Sequence, residues 1–473
     1  MPEPTSAASA HPAARLSRRG ALAALGGVAA SLVAAPAWAV DDRRPGAVAA
    51  PALTARDRVV VQRVSAARAI EHVVELSEGI GPRIGGTPSE RAAADYLAGV
   101  LDSYGYEVRL EPFGVADKFL ADLSGTPALD DDICWQAGAS ERGALDVSVT
   151  AEAVDIGPAT TEAPDLTGKI ALVDQVVANA AGRTPQVALA VARGAVAVVL
   201  LPADNPNPIR RSQAFSPLLS EDFGVPVVGV AQVQKHRLRE ALARGPLTLT
   251  VRTDAFRGLT SHNVLAERAG RGRPSGARPA LMVCAHYDSV IGAPGANDDG
   301  SGTALTLEVA RVMRSLPTEA DLRFSLWGSE EQGLIGSRYH VAQLDQAERD
   351  RLLGVYNNDM VATSWDPATR YWVLSWDGSA NVVNTSVIDA AERLGYSPSL
   401  SPVTTRGASD HQSFQEQGIA SSNFSWRGEE SPALLEPPYH SPEDTVAKNI
   451  SPERMQVSLE LIGSALYEQA RAV

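Results

Sequence analysis

From residue 262 onward the chain repeats one pattern: a short apolar run of strand length, then a stretch of helical periodicity. Ala280–Ala285 reads as a strand, and Thr303–Leu316 as a helix with Leu305, Val309, Val312 and Leu316 on one face. Leu322, Phe324 and Leu326 mark a second strand, Val355–Met360 a third and Ala420–Phe424 a fourth. Residues 382–394 read as helix. Pro452–Gln469 reads as a further helix, with Met455, Leu459, Ile462 and Leu466 on its buried side. Parallel strands need crossover connections, and the crossover helices cover both faces of the sheet. The expected fold is therefore α/β, a three-layer α/β/α sandwich around a mostly parallel mixed sheet.

The preceding residues enter the same domain. A helix is expected over 60–77, with Ile70, Val73, Val74 and Leu76 apolar. Gly81–Gly86 is a loop by composition. Thr87-Pro88-Ser89-Glu90 then reads as a helix start: Thr87 caps, Pro88 fits the first turn and Glu90 reaches back to the cap. Tyr106, Val108 and Leu110 alternate like a strand. Residues 115–255 break the rhythm. They are rich in Ala and Val, with β-like runs at Lys169–Val173, Ala195–Leu201 and Val225–Val230, and a helix at Pro185–Arg193 closed by Gly194. His236, between Lys235 and Arg237, is the only histidine there and reads as exposed. With no cluster of histidines and acids, 115–255 is expected to be an inserted domain without chemistry of its own. The main domain is then 59–114 joined to 256–473. Two or three domains suit 473 residues.

The amino end has a different task. Ser17-Arg18-Arg19, the apolar run Ala21–Ala35 and Ala37-Trp38-Ala39 form the charged, apolar and cleavage regions of an export signal over 1–39, of twin-arginine type. Residues 40–58 are expected to be a loose leader, and the protein to be secreted or periplasmic. No later apolar run reaches bilayer length, so no membrane span is expected. A net charge of −14 argues against nucleic acid as a partner. Two cysteines, Cys134 and Cys284, are too few for a disulfide scaffold, and Cys284 sits in an apolar run as a buried thiol would.

The polar signals fall where the strands end, the usual ligand position in open α/β sheets. His286 can bind a metal there, and Asp288 lies on the same side of an extended chain, able to accept the other ring N–H. Asp298, in Gly295-Ala296-Asn297-Asp298-Asp299-Gly300-Ser301-Gly302, can bridge two cations, and Asp299 or Ser301 can cap the helix that follows. Glu330 and Glu331 follow an apolar strand and divide naturally into a base and a ligand. Asp359 ends another strand. Prolines on both sides restrict the loop of Tyr439-His440. Ser409-Asp410-His411 adds an acid–imidazole pair. Singly, each has an ordinary explanation: a surface histidine beside an acid, a capping turn, a charged helix start. Together, imidazoles and carboxylates without a thiolate suit zinc.

This set of motifs resembles the dizinc exopeptidase family of bacterial secreted leucyl aminopeptidases and aminopeptidase Y, which also includes glutamate carboxypeptidase II and glutaminyl cyclase. The likeness covers roughly 60–114 and 256–470, and 115–255 is similar to the protease-associated domain that some members carry. The resemblance implies two Zn2+ per chain. His286 and Asp359 would hold one, Glu331 and His440 the other, and Asp298 would bridge them. It further implies Glu330 as general base, Asp288 as the group orienting His286, Tyr439 as donor to the developing oxyanion, and a cis peptide at Asp298–Asp299. Two departures stand out. Some members have an arginine directly before Ser-Asp-His, where this chain has Ala408, with Arg406 two residues earlier. Some have cysteines flanking Tyr-His, where this chain has Pro438 and Ser441.

The expected activity is release of amino-terminal residues from peptides with a free N-terminus. Carboxypeptidase action is the alternative, disfavoured because no arginine cluster for a carboxylate is evident. A cyclase is disfavoured by the full set of five ligand positions, and a non-catalytic receptor-like protein by the intact base. Phe424, Trp426 and the loop 425–436 are candidates for the side-chain pocket.

Overall fold

The computed structural model describes residues 52–472 except 208–210, 272–273 and 275–277. The export signal read over 1–39 lies outside them. Among the described residues, no helix is long and apolar enough to cross a membrane.

The first strand, β1 (Glu107–Gly114), is followed by seven that form a separate structure: β2 (Lys118–Thr126), β3 (Gln136–Ala139), β4 (Val147–Asp155), β5 (Ile170–Asp174), β6 (Ala197–Leu201), β7 (Val227–Gly229) and β8 (Thr248–Phe256). These close into a barrel in the order β2-β3-β7-β6-β5-β4-β8. The chain then returns through β9 (Thr260–Arg268), β10 (Ala280–His286), β11 (Asp321–Trp327), β12 (Leu352–Asn358), β13 (Arg370–Ser375), β14 (Leu400–Thr405) and β15 (Ser421–Arg427). With β1 they make an eight-stranded sheet, β1-β9-β11-β10-β12-β15-β13-β14. The four central strands β11-β10-β12-β15 run parallel, and β1, β9 and β13 add antiparallel pairings. This is the mixed α/β sheet expected from the alternating pattern. Gly114 of β1 lies opposite Thr260 of β9. The barrel therefore leaves and rejoins the sheet at one place, the arrangement that lets a domain be inserted without breaking its host.

Both sheet faces are buried. In β10, Leu281, Val283 and Ala285 join a large core with the helices Ala66–Val74, Pro88–Ser103, Gly300–Met313, Val382–Leu394 and Pro452–Ala472. Ala280, Met282 and Cys284 point the other way, toward Val341 and Phe414 on the helices Ile335–Gln343 and His411–Gln415. Strands covered on both sides read as continuous apolar runs, which is why they were legible. Both cysteines are free.

Several local expectations need correction. The single helix over 60–77 is two helices, Ala55–Val61 and Ala66–Val74, running into a π-helical turn at Glu75–Ile80. Ser65 breaks the run: its side chain caps the second helix, and its N–H goes to Glu308. The first helix also occupies part of the stretch expected as loose leader. The capping box at Thr87 does not form. Thr87 Oγ donates to the Ile84 carbonyl instead, while Glu90 accepts from Gly86 N–H at 2.6 Å and turns toward Ser261 and Ser329. The barrel helix starts at Ala180, capped by Asn179, and carries Pro185 inside it.

Asp57 ties the first helix to the sheet domain. It is 1% exposed and accepts from Thr54 N–H and from Arg393 Nε and Nη2. Burial raises its pKa, but Arg393 and Thr54 outweigh that and hold it below the ordinary value. A depressed carboxyl stabilises the fold above its unfolded pKa, and the contribution fades as pH falls through the folded value. Asp57→Asn is thus expected to cost about 2 kcal/mol at pH 7. The gap should close toward pH 3 in urea unfolding; a constant gap would mean the charge is not what matters.

Candidate metal centre

Three of the clusters read from the sequence sit directly where a central strand ends, and two more come from the loops that follow such strands. His286 is the last residue of β10. Glu330 and Glu331 lie in the 3-10 turn after β11, and Asp359 directly follows β12. Asp298 comes from the loop between β10 and helix Gly300–Met313, and Tyr439 and His440 from the long loop after β15. All seven line one cleft of about 270 Å3. A larger cavity of about 520 Å3 lies at the β1–β9 side of the sheet. Of the acids lining it, Glu111 pairs with His340, and Glu348 with Arg323 and Arg351. Among the described residues, no group of ligand-type side chains that could hold a metal lies there.

Asp298 is the centre of the arrangement. Its Oδ1 is 3.3 Å from His286 Nε2, and its Oδ2 is 3.1 Å from His440 Nε2. Glu331 Oε2 is 3.1 Å from the same His440 nitrogen, and Glu330 Oε2 is 4.0 Å from His286 Nε2. Ligand-type atoms of His286, Asp298 and Glu331 form one triplet within 4.8 Å of one another, and those of His286, Glu330 and Asp359 form another. Asp288 Oδ1 is 3.4 Å from His286 Nδ1, close enough for attraction but without a formed hydrogen bond. Its firmer role is to accept the N–H groups of Glu330 and Glu331 at 2.9 and 3.2 Å, which fixes the turn that carries both. Tyr439 stacks on His440, ring centres 3.8 Å apart.

The electrostatics call for cations. Burial pushes the Glu330 carboxyl well above its usual range; His286 opposes this, and Asp410, Glu331 and Asp359 add to it. Burial likewise raises Glu331 and Asp299. It pulls His286 and His440 down, but their carboxylate neighbours win and raise both, His440 to about 10. Asp298 is held low by the two imidazoles, against its burial. Buried oxygens of Asp298, Glu331 and Asp359 have no hydrogen-bond partner. Such atoms are costly unless a cation or a donor meets them. Imidazole nitrogens and carboxylate oxygens at this spacing fit zinc.

The backbone holds these groups under strain. Ser329, Leu334, Met360, Ala408 and His440, all in or beside the cleft, have positive φ between 54° and 64°. Left-handed conformations of non-glycine residues persist only where surroundings over-determine them. Those surroundings are a carboxylate network. Asp444 accepts the N–H groups of Asn297 and Asp298 at 3.0 Å each. Asp299 caps helix Gly300–Met313 through Gly302 N–H and also accepts Met360 N–H. Glu90 accepts Ser329 N–H, and burial, with Asp288 adding to it, raises Glu90 to about 8. The Asp298–Asp299 peptide is cis.

The remaining sequence candidates divide. Asp410 and His411 are fully buried but no ion pair joins them: His411 Nε2 meets the Arg406 carbonyl, while burial raises Asp410 to about 7. Phe424 and Trp426 belong to the core, and Leu435 and Arg427 line the cleft in their place. Arg406 and Arg427 both line the cleft as well. Sequence reasoning missed the roles of Arg83, Glu90 and Asp444. Asp444 lay inside a cluster already noticed, but nothing distinguished it from a solvated acid.

The profile of peptidase family M28 matches residues 263–466. Aminopeptidase YwaD of Bacillus subtilis is 36% identical over 411 residues, covering 86% of this chain and 85% of that protein. Among solved structures, BSAP, a zinc aminopeptidase from Bacillus subtilis, superposes with a TM-score of 0.61 at 34% identity, covering 87% of this chain and 96% of that one. An aminopeptidase from Aneurinibacillus sp. strain AM-1 gives a TM-score of 0.55 at 32% identity, covering 88% and 96%.

Proposed function

This chain belongs to peptidase family M28, and from that premise we propose that it is a zinc-dependent aminopeptidase, secreted or periplasmic, with two ions in the cleft at the ends of β10, β11 and β12. The observation that carries the two-ion reading is the placement of Asp298, whose two oxygens face two different imidazoles, His286 and His440. His286 and Asp359 would hold one zinc, Glu331 and His440 the other, with Asp298 between them. Glu330 and Glu331 both lie within reach, but the contact of Glu331 with His440 supports Glu331 as the ligand. That leaves Glu330 for proton transfer. Residues 59–114 with 256–473 would be the catalytic domain, and 115–255 a protease-associated insertion.

Zinc bound here supplies Lewis acidity, polarising the scissile carbonyl and making water acidic enough to attack near neutral pH. Glu330 takes a proton from the attacking water as its oxygen joins the carbonyl carbon. It returns that proton to the amine nitrogen as the C–N bond breaks. Tyr439, which lines the cleft, would donate to the carbonyl oxygen as charge builds on it. The surplus of carboxylates around His286 favours a free ammonium group, which supports cleavage at the amino end.

Aminoacyl p-nitroanilides are expected to be hydrolysed, and their N-acetyl counterparts refused. Exhaustive chelation should abolish turnover, with zinc restoring it. Cleavage of the blocked substrates at comparable rates would rule out the amino-end assignment, and full activity without metal would rule out the hydrolytic mechanism.

A further inference from the structure

His440 has two ring nitrogens, and only one faces the carboxylates. The other, Nδ1, lies 3.0 Å from Gln213 Oε1. Gln213 belongs to the barrel insert, not to the sheet domain that carries the other candidate ligands. Its segment is pinned on both sides: Ser212 N–H reaches Gln232 Oε1 at 3.0 Å, and Phe215 bridges to Gly229 of β7. Neighbouring contacts tie the same two elements together. Arg211 Nε meets Glu443 at 3.1 Å, Lys448 meets Asp132 at 2.7 Å, and Cys134 N–H reaches the Pro442 carbonyl at 3.4 Å. The insert thus grips the loop 437–449 at several points around His440.

We propose that Gln213 is a positioning residue for His440, supplied by the barrel. An imidazole can bind a cation through Nε2 only if its proton is on Nδ1. An acceptor at Nδ1 selects that tautomer and aims the lone pair of Nε2 at the space shared with Asp298 and Glu331. His440 needs such help, because its backbone is in the left-handed region at φ 54° and its loop has no regular structure around it. The expectation that the insert has no chemistry of its own then gives way to a shared site, complete only when barrel and sheet are docked. The proposal rests on the reading of His440 as a zinc ligand.

Three substitutions separate an acceptor from a mere contact. Gln213→Leu removes the acceptor, Gln213→Lys replaces it with a donor that favours the wrong tautomer, and Gln213→Glu keeps it. Zinc affinity of the full chain, read by competition with a chromophoric chelator, is expected to fall by about 10- to 100-fold for one of the two ions in the Leu and Lys variants. The Glu variant should hold zinc as wild type does, and the unfolding midpoint of the zinc-free protein should not move in any of the three. Wild-type zinc affinity in Gln213→Leu would overturn the proposal. So would equal loss in Gln213→Glu, or a zinc-free midpoint that falls in step with zinc binding, since either assigns the contact to packing. A wild-type chain that takes up no zinc would overturn the functional reading itself, a distinct result.

Discussion

Glu330→Gln is expected to lower kcat on an aminoacyl p-nitroanilide by about 10^2- to 10^4-fold, the range of a lost general acid–base group, while zinc content stays at the wild-type level. The amide keeps the size and one acceptor oxygen of the carboxylate but cannot carry the proton. The position is suited to that task. Glu330 is 8% exposed, directly beside the ligand candidate Glu331, with its backbone N–H held by Asp288 and the strained Ser329 fixing the turn. Burial raises its carboxyl above the usual range, with His286 opposing and Asp410, Glu331 and Asp359 adding to the shift. Turnover near the wild-type rate would remove Glu330 from the mechanism. Loss of zinc along with activity would instead place Glu330 among the ligands, in the second triplet with His286 and Asp359.

Arg83→Met is expected to destabilise the protein by about 3–5 kcal/mol, as removal of a buried charge with its hydrogen bonds does. Arg83 is completely buried. Its guanidinium donates to five carbonyls: Tyr287 at 2.6 Å, Leu76 at 3.0 Å, Gly81 at 3.2 Å, Pro294 at 2.6 Å and Gly295 at 2.9 Å. These belong to the segments on either side of the metal-site loops, so one side chain fastens them together. Burial lowers its pKa to about 10, with Asp288, Asp444, Asp299 and Asp298 resisting; it stays charged at neutral pH. Methionine fills the space but leaves the carbonyls unmet and the acids without their fixed cation. Lysine restores the charge with three donors against five acceptors, so Arg83→Lys should fall between. Urea unfolding of the zinc-free variants reads this directly. A Met variant within 1 kcal/mol of wild type, on the order of an ordinary surface change, would mean that water replaces the guanidinium without loss.

The two residues show why the site was only partly legible. Glu330 was readable as a candidate because it follows an apolar strand in a cluster of acids, so that spacing along the chain stands in for proximity. Arg83 was not, since its partners are backbone carbonyls that leave no mark on the sequence, and it sits in a glycine-rich loop that reads simply as loop. Gln213 had no signal either: 227 positions separate it from His440, and no local rule links an amide beside the barrel to an imidazole in a loop of the sheet. The central strands announced themselves as apolar runs buried on both sides. Strands β2, β4 and β8 escaped notice because each keeps one face toward water, as Asp122, Ser148 and Arg252 indicate.

The pairing of β1 with β9 also orders events on a nascent chain. All seven barrel strands lie between Lys118 and Phe256, so a polypeptide emerging amino end first can complete the barrel before β9 has been synthesised. Meanwhile β1 waits with no neighbour to bond with. Its alternating Glu107, Arg109 and Glu111 give that lone ribbon the charged fringe that discourages it from joining another molecule.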